Sequence, residues 1–184
     1  MIPALPVGIA ERLSDSLPIV LTKHVLPEGK WAVSTRRHAY PVDEQADVLE
    51  VVRAIDPQGE TQDIVIYLTD LPRRLGRLPV VVDISVDTQF GMISLPGAGG
   101  LFVDRRVRNV AQTIVAGIAR LPDKKHRSMR QLTRMQDDDV VCYVAPTTLS
   151  RLRLLSGMVY ANRPLAIGRG DDVGDRRHDC LAHS

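Results

Sequence analysis

The chain has 184 residues, 44% hydrophobic and 25% charged, the length and balance of one globular domain with flanking segments. That excludes a wholly disordered chain, a collagen-like repeat and a disulfide-stapled miniprotein. The formal charge of +2 hides an asymmetry: residues 1–104 carry 9 Lys/Arg against 14 Asp/Glu, whereas residues 105–134 carry 9 against 1.

In chain order, residues 6–26 suggest two short helical stretches, the second with Ser16 as N-cap and Pro18 in its first turn. Trp31–Ser34 is a short apolar run that suits a first strand. Asp43 is placed to cap a helix in which Ala46, Leu49, Val52 and Ile55 follow the helical period. Asp56-Pro57-Gln58-Gly59 ends it.

DIVIYLTD (63–70), PVVVDISVD (79–87) and FGMISLP (90–96) are continuous apolar or β-branched runs, as expected of strands covered on both faces. A tight hairpin at Asp87-Thr88 joins the last two, because the connection is too short for a parallel crossover. Gly97–Gly100 is expected as a flexible loop, and Asp104 as the N-cap of the longest helix, running to Leu121. Residues 123–138 suggest a short basic helix, and VVCYVAP (140–146) a last strand. Leu149, Leu152, Leu155, Met158 and Val159 make an amphipathic helix of residues 148–162. Beyond Leu165 the composition turns polar and aperiodic, the mark of a disordered tail over 165–184. The expected fold is an α/β or α+β domain over residues 1–164, with a mixed sheet of about five strands covered by helices.

Few residues suggest chemistry. Gly97, Gly99 and Gly100 lie between a strand and a helix, the order in which backbone N–H groups hold phosphate. The dinucleotide fingerprint is incomplete, because Phe102 stands where its third small residue belongs, and no Walker lysine follows. Asp70, Asp83 and Ser94 lie on or beside the central strands, where ligands bind in open α/β sheets. Asp83 stands among valines and isoleucine, so its carboxylate needs a hydrogen bond, a cation or water. The five histidines are scattered, and there is no H-E-x-x-H, no paired metal-ligand spacing and no G-x-S-x-G. No metal site and no cofactor is expected from this set. A catalytically dead zincin-like relative is a third reading, resting on element order alone.

Charge and apolar runs bear on partners and location. Cys142 and Cys180 are too few for a disulfide framework, consistent with reduced thiols in a cytoplasmic protein. No apolar run approaches the ~18 residues of a membrane span, and the N-terminal residues lack the pattern of a secretory signal. The basic stretch holds Arg105, Arg106, Arg108, Lys124, Lys125 and Arg127, and Arg151 and Arg153 extend it. It contains no Phe, Tyr or Trp to stack on bases. An anionic membrane surface or a membrane partner therefore suits it better than nucleic acid.

YLTDLP (67–72), PVVVDIS (79–85), SLP (94–96) and RLRLLSGMVYANRP (151–164) together resemble a family of uncharacterised bacterial multi-span membrane proteins. The shared pattern is L-T-D-L-P, P-V-V-A-D-x-S, S-L-P-A-L-G and L-L-x-G-M-V-x-A-N-R-P-W, and the match covers residues 5–164 in order. This sequence departs from it at Leu165, where the family has Trp, and at GAGG (97–100), which replaces A-L-G. The resemblance implies a cytoplasmic domain whose segment Arg151–Pro164 leads into transmembrane helices, and it carries no established activity. Some relatives bear a methylenetetrahydrofolate dehydrogenase label, implying as the alternative a nucleotide- or nicotinamide-binding enzyme using Gly97–Gly100. The leading expectation is a non-catalytic cytoplasmic domain, peripheral to the inner face of the cell membrane. The polar tail in place of spans is expected to be a truncation, by frameshift or gene-model error, testable in the DNA beyond the Pro164 codon.

Overall fold

The computed structural model describes residues 5–37, 48–55, 63–75, 78–121, 132–137, 140–145 and 156–158. Helix α1 (Leu5–His24) is one continuous helix and the longest described, not two. Ile9, Leu13, Leu17 and Leu21 recur every fourth residue along it and are buried. Pro18 lies inside this helix, where the missing N–H costs about 3 kcal/mol. Four buried aliphatic side chains, each contributing about 1.5–3 kcal/mol, outweigh that cost and carry the helix through. Trp31–Ser34 form no strand; residues 29–37 run without regular structure. Helix α2 (Val48–Ile55) follows; Asp43 lies outside the described residues.

The fold is α/β, and the described residues hold six strands in one mixed sheet. Strands β1 (Val65–Thr69), β2 (Arg73–Leu75), β3 (Leu78–Ser85), β4 (Phe90–Ser94), β5 (Thr133–Asp137) and β6 (Val140–Val144) are arranged β1-β4-β3-β6-β5, with β2 also paired to β3. Among the described residues, β1 and β4 alone pair in parallel, and the other pairings are antiparallel. Val80 pairs with both Arg73 and Val144, so β2 shares the β4 edge of β3, opposite β6. The β3–β4 hairpin exists, but its turn spans residues 86–89, with Gln89 at φ 53°. Residues 133–137, expected in a helix, are instead the edge strand β5.

Side chains in register share a face of the sheet. One face presents Ile66, Leu68, Val82, Ile84, Ile93, Val141 and Tyr143 to the core cluster built with α1 and α4 (Val103–Ile118). The other carries Phe90 and Met92, packed against Val48, Val51 and Val52 of α2. Covering on both faces explains why β3 is buried from Pro79 to Ser85.

Two features after β4 differ from expectation. The glycine-rich segment is not a flexible loop at its start: Leu95–Ala98 form a one-turn helix, α3, and all four residues are buried. The N-cap of α4 is Phe102, not Asp104, and the helix ends at Ile118 rather than Leu121. Of the expected 148–162 helix, residues 156–158 are described and are helical. The 165–184 tail lies outside the described residues.

Candidate functional site

Tyr67, Met92, Asp83, Cys142 and Met135 form one row across β1, β4, β3, β6 and β5. Asp83 is therefore a carboxylate in the middle of the sheet, on the face that α2 partly covers. The sequence requires a partner for it, and the structure supplies Arg73, whose Nε lies 3.3 Å from the Asp83 Oδ2. The strand β2 brings that cation to β3. A buried pair of this kind leaves little charge to offer a ligand, because each ion is compensated by the other.

Thr69 and Ser94 are in register at the ends of the parallel strands, and both are buried. Their hydroxyls are committed to the backbone. The Leu71 N–H donates to the Thr69 Oγ1 at 3.1 Å, and the Ser94 Oγ donates to the Leu71 carbonyl at 3.0 Å. The Ser94 Oγ also accepts from the Gly97 N–H at 3.3 Å, capping α3. These bonds hold the turn after β1 against the start of α3. Asp70, within that turn, is exposed.

The glycine turn has its own commitments. A Cβ on Gly97 would lie 2.2 Å from the Val80 carbonyl oxygen, so only glycine lets α3 pack this closely on β3. Gly99, at φ 84°, donates its N–H to the Leu95 and Pro96 carbonyls, and the Gly100 N–H donates to the Ser156 Oγ at 3.2 Å. Three glycine amides that a phosphate cradle would use are thus bonded within the chain. Gly157 seals the arrangement from the C-terminal side, since a Cβ there would lie 2.4 Å from the Pro96 carbonyl oxygen.

The structure thus joins Ser94, Gly97, Gly99 and Gly100 through one turn. Asp83 is on the neighbouring strand, held by Arg73, and Asp70 stands apart in solvent. Of the basic residues, Arg105 is exposed and Arg108 half-buried. Arg106 donates to the Ala98 carbonyl at 2.8 Å, tying α4 to α3. Lys124, Lys125, Arg127, Arg151 and Arg153 lie outside the described residues.

Sequence reasoning overlooked Arg73, Ser156, Gly157 and the pair Leu101–Phe102. The pair had a signal: it falls outside the buried helical stripe of Val103, Val107, Val110 and Ile114, directly after the glycines. Leu101 is 68% and Phe102 78% exposed.

Among the described residues, no group of three His, Cys, Asp or Glu side chains could hold a metal ion. No helix among them is long and apolar enough to cross a membrane. A cleft of about 520 Å³ between α1, residues 30–35 and β1 is lined by Leu13, Leu17, Trp31 and Ile66, and by none of the expected site residues. Comparison with family models, with curated proteins and with solved structures returns no match for this chain.

Proposed function

We propose that the chain is a non-catalytic domain that works at the cytoplasmic surface of a membrane, accessory to a membrane assembly. The observation that carries this reading is the docking of residues 156–158 on α3. There the Ser156 hydroxyl takes the Gly100 N–H and Gly157 lies against Pro96. These residues belong to the segment Arg151–Pro164, which resembles the approach to transmembrane helices in the similar bacterial family. Ser156 thus bonds the residue that precedes Leu101 and Phe102, an exposed apolar pair followed in the chain by the exposed Arg105. Apolar groups flanked by Lys/Arg are the composition that a bilayer interface favours.

The enzyme reading draws less support, because the amides of Gly97, Gly99 and Gly100 already have partners within the chain. Two measurements test the proposal together. Thermal unfolding with NADP, ATP or a folate at millimolar concentration is expected to show no stabilisation. A specific ligand at 100 times its Kd would raise stability by about 2.7 kcal/mol. Pelleting of the full chain with cell membranes is expected in low salt and reversed in high salt. A saturable thermal shift with NADP, or a chain that stays in the supernatant at low salt, would overturn it.

A further inference from the structure

The connection between α3 and α4 has a property that fold stability does not require. Phe102 is held at φ 53°, ψ 40°, the left-handed region that a bulky side chain rarely enters. Glycine or asparagine would make the same turn with less strain. Its side chain is nonetheless 78% exposed, beside a Leu101 that is 68% exposed. Strain and apolar exposure at one position both act against folding, and such an outlier is the observation from which function is inferred.

The charges around this tip are arranged to suit anionic headgroups. Arg105 and Arg108 lie about 4.5 Å and 9 Å along the helix axis from Phe102, at 1.5 Å per residue. Both lie within roughly two helical turns of the tip, near enough for their guanidinium groups to meet headgroup phosphates once the apolar pair is inserted. Asp104, the acid in the first turn, is countered by Arg12 at 2.9 Å. Arg106 is occupied by the Ala98 carbonyl.

We infer that Leu101 and Phe102 insert into the acyl boundary of an anionic bilayer while Arg105 and Arg108 meet its headgroup phosphates. This rests on the membrane-surface reading and names the element that makes the contact.

The test uses the full chain with vesicles of phosphatidylglycerol and phosphatidylcholine. Leu101→Ser and Phe102→Gly are each expected to weaken binding about tenfold. Ile19→Ser, at a position 72% exposed on α1, is expected to change nothing. Phe102→Gly is also expected to raise the melting temperature by about 2–4 °C, since glycine relieves the left-handed strain. The variant that binds less therefore folds better, and lost binding is not lost structure. Full vesicle binding by Leu101→Ser/Phe102→Gly would overturn the inference and leave the membrane reading standing. Failure of the unsubstituted chain to bind would end both. A dimer in lipid-free buffer that Phe102→Gly dissociates would assign the pair to a second copy of the chain and overturn the inference.

Discussion

The Arg73 guanidinium meets the Asp83 carboxylate inside the sheet, with side chains 13% and 3% exposed. Removing one ion leaves the other buried without its counter-charge, at a cost of about 3–5 kcal/mol. Arg73→Met is therefore expected to lower the urea midpoint severely. Arg73→Met/Asp83→Leu, which removes both charges, is expected to recover much of the loss. Urea unfolding with an unchanged slope measures both. Equal destabilisation by the single and double variants would show that the pair does not act as a unit.

Ser94 joins two elements through one oxygen, so its loss exceeds that of a simple cap. Ser94→Ala is expected to cost about 1–2 kcal/mol. Gly97→Ala drives a methyl group into the Val80 carbonyl, backbone that cannot rotate away, and is expected to cost about 3 kcal/mol. Thermal or urea unfolding ranks the two. Gly97→Ala as mild as Ser94→Ala would contradict the close packing of α3 on β3.

Much of this fold is legible in the sequence. The strands β1, β3, β4 and β6 announce themselves as apolar, β-branched runs, and helices bury β3 and β4 while β1 and β6 stay half-buried. The helix α4 follows from its 3.6-residue period, with its N-cap misplaced because Asp104 pairs with Arg12 instead of capping. Arg-Arg-Leu in β2 and Thr-Arg-Met-Gln-Asp in β5 carry no apolar alternation. Pairing with β3 and β6 imposes their strand conformation, a tertiary effect that local pattern does not encode. The burial of Asp83 was readable, and so was its need for a partner. That the partner is Arg73 depends on how β2 pairs with β3.

Docking of residues 156–158 depends on the bare Cα of Gly157. A methyl group there would lie 2.4 Å from the Pro96 carbonyl oxygen and 2.6 Å from the Pro96 Cα. Gly157→Ala is expected to release the Gly100 N–H from Ser156 and speed its hydrogen exchange while the β3 amides stay protected. Unchanged exchange at Gly100 would show that the segment does not depend on this contact.

Arg105 is exposed, so its removal tests charge with little effect on folding. An arginine near an anionic surface contributes about 1 kcal/mol, so Arg105→Gln is expected to weaken vesicle binding about fivefold. Arg105→Lys, which keeps the charge, is expected to bind anionic vesicles nearly as well as the unsubstituted chain. An equal loss with Arg105→Lys would contradict a role carried by the charge.

Flotation of the intact chain through a density gradient, with anionic or with purely zwitterionic vesicles, tests the membrane-surface account most directly. The account requires the chain to rise with phosphatidylglycerol vesicles, to stay below with phosphatidylcholine alone, and to sink again as salt is raised. A chain that remains at the bottom with anionic vesicles in low salt would contradict it.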